Sequence, residues 1–489
     1  MPSTKGLLAW KALLHYKGEA SVIGAESPFF IASNGHSDPL AELNATSAAL
    51  KNDPKTQCKY PARLDFLLKN GAIDANNLPI ASCDDYQEYL QKVPFDRVYA
   101  VFVAEDQAHP ASIMGHTILK IAGEDNDGAT REHSFSFMAL MGENGNLRRY
   151  ISAVLNGSEG SYVLAPYQNT IETYINGENR SLWEFELNLT SDAKDRLKKH
   201  LWELKETPIN YQFIAHNCNT AIEAILNAAD QSFSDDKYWF FSTPTEYLQD
   251  LSEKGKIENV YLRPSKNERE SMALFGAYYP LNTAKASRIS IEGFKRGARI
   301  SVSPVYRDKR SVSNASAIEY DSKLLEIKAR FDDDGASLET LNFISMESIG
   351  DYRAIGLSKA FRLALEENGR DRLSGAVEWG RGVGFSPLND ATIYAVGKVG
   401  AGYDGKADFF AAIDTGIIAR LGDDAKLLAN YERFWDSDKK YRGFNGALSV
   451  FAAFAISQDV DIHIGLEQNF NDLNDRSRAI VSLGFSGYF

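Results

Sequence analysis

The sequence predicts an α+β domain followed by an all-β antiparallel barrel. Three observations predict it. Helical and strand-like runs intermix up to about residue 265, two-residue alternation takes over after about residue 284, and turn signals recur through the second half. At 489 residues the chain exceeds one ordinary core, so two or three domains are expected. Composition is globular, with 44% hydrophobic and 24% charged residues. A net charge of −13 excludes a nucleic-acid binder, which needs a basic stripe, and excludes charge-driven docking on anionic lipid.

Residues 1–92 read as short helices and loops. Leu7, Trp10, Leu13 and Leu14 fall at helical spacing and Lys11 interrupts them, so Met1–His15 is read as a helix and not as a signal peptide. Export would use a leader outside this sequence. No run approaches the roughly 20 apolar residues of a spanning helix. Residues 93–265 read as a mixed α+β domain. Asp96–Val103 is a buried strand, His116–Ile121 a second, His133–Phe137 a third and Ser181–Leu189 a fourth. Ser191 then caps a helix with Leu197, Leu201 and Leu204 on one face, and a further helix starts at Cys218 with Ile222, Ile225, Leu226 and Ala229 on its buried side.

Residues 284–489 carry the barrel, with roughly ten to twelve strands. Leu325, Ile327, Ala329 and Phe331 alternate with Glu326, Lys328 and Arg330, and Asp461–Glu467 repeats the pattern. Turns are marked at Asp332–Gly335, Asn368–Arg370, Gly402–Gly405 and Gly422–Asp424. In the last strand Ala479, Val481, Leu483, Phe485, Gly487 and Phe489 share one face. A terminal aromatic on such a strand resembles the C-terminal signal of bacterial outer-membrane barrels, and lipid outside a polar lumen demands this alternation. A soluble β-sandwich or barrel has the same dyad pattern and is the competing expectation.

There are three cysteines, Cys58, Cys83 and Cys218. One Cys58–Cys83 disulfide and one free thiol implies an oxidising compartment, whereas three reduced thiols would suit the cytosol. No zinc spacing and no metal, nucleotide or flavin motif is present, so no cofactor is expected.

Cys218 lies in Tyr211–Thr220 and opens a helix, where the positive end of the dipole favours thiolate. His116, in Pro110–Thr117, would complete a nucleophile–base pair, taking the thiol proton and returning one to the leaving group. The ordinary alternatives are a small buried cysteine and a satisfied structural histidine. A third group fixing the imidazole is sought among His133, Ser134 and Ser136, with His133 preferred. The Cys218 amide is the natural first oxyanion donor, and Tyr211, Asn217, His216 and Ser112 are candidates for holding substrate or oxyanion.

Pro110–Ile121, Asn179–Thr190, His200–Leu204 and Tyr211–Thr220 together resemble the Lnb-type periplasmic domain family, named for a bacterial lipoprotein N-acyltransferase. Gln57–Arg63 resembles the segment that precedes it in longer members, and the likeness spans roughly residues 5–250. The order His then Cys resembles the circularly permuted papain-like fold of lecithin:retinol acyltransferase-like enzymes. The resemblance implies Cys218 as nucleophile and His116 as base. In many relatives an asparagine stands on the strand that carries His133 here, and the minimal acyltransferase lacks a barrel-like second half.

The expectation is a cell-envelope thiol enzyme facing the periplasm and anchored in the outer membrane. It would form a thioester on Cys218 and transfer an acyl group from a lipid donor to an amine, on a peptide or lipoprotein. A cysteine peptidase or amidase acting on peptidoglycan or protein is the first alternative, and a non-catalytic outer-membrane barrel with a binding domain the second.

Overall fold

The computed structural model describes residues 3–106, 112–139, 157–205, 207–212, 216–234, 242–276, 278–312, 319–333, 335–368, 372–437, 445–470 and 478–489. It divides into two compact units. One comprises residues 1–104 and 115–265, the other 105–114 and 266–489.

The first unit is built on a seven-stranded antiparallel sheet. Its strands are β1 (Arg97–Val103), β2 (His116–Glu124), β3 (Thr130–Ala139), β4 (Ser158–Pro166), β5 (Leu182–Leu187), β6 (Pro208–Tyr211) and β7 (Ile257–Arg263), in the order β6-β4-β3-β2-β1-β5-β7. Helices α1 (Thr4–Leu13), α2 (Pro39–Asn52), α3 (Pro54–Lys59), α4 (Pro61–Lys69) and α5 (Asp84–Lys92) precede the sheet. Later come α6 (Ser191–Leu204), α7 (Cys218–Ala229) and α8 (Pro244–Glu253). Thr190 and not Ser191 caps α6, because Thr190 holds the extended backbone and accepts from the Ala193 amide at 3.2 Å. Leu197, Leu201 and Leu204 of α6 and Ile222, Ile225 and Leu226 of α7 are buried, each contributing about 1.5–3 kcal/mol of apolar burial.

Residues 1–92 do not form a separate body. Arg63 of α4 is fully buried between Glu42 of α2 (2.9 Å) and Glu203 of α6 (3.3 Å), and His15 meets His200 of α6 ring to ring at 2.8 Å. Buried charge of this kind is tolerated only with its partners in place. A Cys58–Cys83 disulfide ties α3 to the residue that opens α5, with 5.2 Å between Cα atoms.

The second unit is a closed antiparallel barrel of twelve strands. They are β8 (Arg288–Phe294), β9 (Gly297–Ser303), β10 (Glu319–Asp332), β11 (Gly335–Ile349), β12 (Ser358–Glu367), β13 (Leu373–Leu388), β14 (Ala391–Tyr403), β15 (Ala407–Arg420), β16 (Ala425–Asp436), β17 (Gly446–Ser457), β18 (Val460–Phe470) and β19 (Arg478–Tyr488). Consecutive strands pair, and β8 pairs with β19 to close the ring, Arg288 lying opposite Tyr488.

This barrel is apolar outside and charged inside. Val399, Ile413 and Leu483 are 60%, 46% and 60% exposed, while their strand neighbours Lys398, Asp414 and Ser482 point inward. Ile327 and Phe331 are likewise exposed and Glu326 is buried. Water on the outer face would penalise every one of these positions, whereas a hydrocarbon layer rewards them. The soluble-barrel expectation is excluded on this ground. Among the described residues no helix is long and apolar enough to cross a membrane.

Candidate active site

Two local devices set the site. On the strand side, Gly115 stands at φ +78°, and a Cβ there would collide with the Phe102 ring and the Val103 carbonyl. Only glycine allows the chain to turn this tightly against β1 and deliver His116 as the first residue of β2. On the helix side, the Asn217 carboxamide oxygen accepts from the amides of Asn219 and Thr220, both at 3.0 Å, so Asn217 is spent as the N-cap of α7. That occupation accounts for its presence without a substrate.

The two devices are stitched together. Asn219 donates to the Ser242 hydroxyl at 3.0 Å and accepts from the Thr117 hydroxyl at 3.4 Å, all buried. The backbone amides of Thr117, Asn219 and Cys218 itself all favour charge on the Cys218 sulfur. They are the available donors for an oxyanion formed beside it.

Burial nevertheless dominates the electrostatics. Cys218 is 6% exposed, and desolvation pushes its thiol up to about 11 against the pull of the three amides and Arg180. The helix-start amides favour thiolate as expected, but burial outweighs them. Desolvation, helped by the Arg180 guanidinium, lowers His116 to about 3. At neutral pH the pair rests as neutral thiol and neutral imidazole. Among the described residues no hydrogen bond joins them, and His116 Nε2 has no partner there.

Two residues missed by sequence reasoning flank the pair. The Tyr174 ring lies 6.2 Å from the His116 ring, and a charge on Cys218 would raise the Tyr174 phenol, whose pKa burial already lifts to about 12. Arg180 is buried, its guanidinium 5.2 Å from the Tyr174 ring, donating to the Ala104 carbonyl at 2.6 Å and paired with Glu178 at 2.7 Å. Asn179 before it adopts φ +55°, a left-handed conformation that asparagine tolerates. That asparagine–arginine step inside Asn179–Thr190 is the sequence signal that could have flagged Arg180.

The remaining candidates are not gathered. His133 of β3 lies opposite Ile121, which puts it on the other face of the sheet from His116 and five residues along, roughly 16 Å at about 3.3 Å per residue. It therefore cannot orient His116. Ser134 lies opposite Lys120 and donates to the Ala165 carbonyl at 3.4 Å. The Tyr211 ring packs on Phe137 at 5.5 Å. Ser112 belongs to the second unit.

His216 lines a cavity of about 350 Å³ with Phe137, Tyr162, Thr220, Ala224 and Asn227. At about 100° per helical residue, Thr220, Ala224 and Asn227 point roughly 180–240° from Cys218, while Ala221, about 60° from it, also borders this cavity. Among the described residues no cluster of three His, Cys, Asp or Glu could hold a metal ion.

The fold and site define a cell-envelope protein, with a disulfide-bonded α/β unit and a barrel whose lipid-facing surface anchors it in the outer membrane. More particularly, residues 85–254 match the model of the Lnb N-terminal periplasmic domain, and residues 7–70 match a domain of unknown function (DUF7843). No curated protein matches the sequence. Among solved structures, the NanC porin is 8% identical, covering 42% of this chain and 100% of its own at a TM-score of 0.28. The KdgM porin is 10% identical, covering 42% and 98% at a TM-score of 0.26. OmpT of Vibrio cholerae is 9% identical, covering 80% and 95% at a TM-score of 0.23.

Proposed function

We propose that the protein is a thiol acyltransferase of the cell envelope, its first unit a permuted papain-like Cys/His enzyme. Cys218 is the nucleophile and His116 the base. The observation that carries this reading is the burial of Cys218 beside backbone donors at a helix start, because a thioester formed in a dry site waits for an amine and resists water.

The sulfur attacks the carbonyl carbon of a lipid ester while the thiol proton passes to His116. The tetrahedral oxyanion is held by amides drawn from Thr117, Cys218 and Asn219. Collapse forms the thioester, and His116 returns the proton to the departing alcohol. An acceptor amine then attacks the thioester, His116 takes its proton, and the thiol is restored as the amide leaves. Neutral thiol and neutral imidazole suit this course, since proton transfer can accompany attack.

The test is intact-mass analysis of the full chain after incubation with phospholipid, then with a lipopeptide bearing a free amine. A hydroxylamine-labile acyl adduct on Cys218, lost in Cys218→Ala and passed to the amine, is the expected result. An adduct that yields only free fatty acid identifies a hydrolase. No adduct and no turnover sinks the enzyme reading and leaves a binding domain on a barrel.

A further inference from the structure

After β9, residues 304–312 enter the barrel. Strand β9 ends at Ser303, Pro304 interrupts the ladder, and Val305–Arg307 pairs with β10 alone. Asp308–Val312 then lies among inward-pointing side chains. The Lys309 ammonium binds Glu347 of β11 at 2.8 Å and Asp414 of β15 at 3.2 Å. The Ser311 hydroxyl accepts from Tyr488 of β19 at 2.8 Å and donates to Asp461 of β18 at 3.5 Å. Lys426 of β16 donates to the Ser311 carbonyl at 2.7 Å. The Arg310 guanidinium lies 5.1 Å from the Phe451 ring of β17. Val312 packs on a lumenal apolar cluster that includes Tyr394 of β14, Ile418 and Leu428.

Four consecutive residues thus reach β11 and every strand from β14 to β19. A lysine buried between two carboxylates and a valine seated in an apolar cluster are each satisfied only with the segment inside. Beside it remains a cavity of about 190 Å³. That is room for roughly six waters at ~30 Å³ each, not a water column spanning ~30 Å of hydrocarbon.

We propose that Asp308–Val312 is a plug and that the resting barrel is a membrane anchor closed to small ions. The inference is independent of the thiol chemistry. It is tested with the full-length protein in planar bilayers bathed in potassium chloride. The wild type should show no steady conductance, and Lys309→Gly/Val312→Gly should show discrete ion-conducting steps. A steadily conducting wild type overturns the plug, as does a folded double variant that stays silent.

Should the double variant fail to insert, labelling decides. In a Cys218→Ser background, Ser311→Cys should react with a membrane-impermeant maleimide about 100-fold or more slower than a cysteine at the fully exposed Ile80 (Ile80→Cys), because lumenal packing protects it. Equal labelling rates would place Ser311 in open water and overturn the proposal.

Discussion

The Thr117 hydroxyl donates to the Asn219 carboxamide oxygen across 3.4 Å, and each of these residues directly follows one of the candidate pair, His116 and Cys218. The bond welds the first residues of β2 to the first turn of α7, so the mutual position of thiol and imidazole depends on it. Thr117→Val keeps the shape and strands a buried acceptor. It should cost about 1–2 kcal/mol in denaturant unfolding and slow acylation of Cys218. Thr117→Ser, which keeps the hydroxyl, should recover both. Equal acylation in the valine and serine variants would show that the link is structural only.

Thiol reactivity follows from burial. With the Cys218 pKa raised to about 11, the thiolate fraction is small at neutral pH and grows as pH rises toward that value. Alkylation of the native protein should therefore be slow at pH 7 and climb through pH 9 and 10. His116, neutral above about pH 3, carries no charge to lower the thiol, so His116→Ala should leave this profile nearly unchanged while abolishing acyl transfer. A native thiol titrating below the ordinary ~8.5 would show an ion pair and contradict the neutral resting state.

The barrel was legible because period-two alternation survives any rearrangement of loops, as in Ile327 and Phe331 against Glu326. Alternation alone does not say which face meets water, so the inside-out arrangement needed the closed ring and the exposure of Ile413 and Leu483. The plug was hidden for the opposite reason. Nothing in the run Asp308-Lys309-Arg310 distinguishes it from a solvated turn, and only the folded wall supplies Glu347 and Asp414 around the lysine. At the thiol site, Cys218 and His116 announce themselves by a helix start and a strand start. Tyr174, from the short helix Ile171–Gly177, and Arg180, from the loop after it, are brought in by tertiary packing. His133 was misjudged because strand register, which sets it opposite Ile121, is not written in the sequence.

Acid should loosen the first unit. Burial lowers His15 and His116 to about 3, and burial with His15 and Arg63 nearby holds His200 well below its ordinary value. Between about pH 6.5 and 3 the unfolded chain binds protons that the folded chain refuses. The stability is whole above pH 6.5 and falls as pH drops through that window, by about 1.4 kcal/mol per unit for each such histidine. Unfolding midpoints measured at pH 7.5, 6 and 5 should decline, and His200→Gln should flatten the decline. A midpoint that holds steady or rises toward pH 5 would refute the assignment.

Lipid contact is tested at Ile413, the middle of β15, which points outward beside the inward Asp414. Arginine there would sit near the centre of the hydrocarbon layer, where the cost is about 2–4 kcal/mol. Folding of Ile413→Arg into lipid vesicles should shift to correspondingly lower urea, while the same change at Tyr403, near the end of β14, should cost far less. The contrast matters more than either value. A soluble barrel would tolerate arginine equally at both places, because water meets both, so equal midpoints would remove the barrel from the membrane and leave its outer apolar band unexplained.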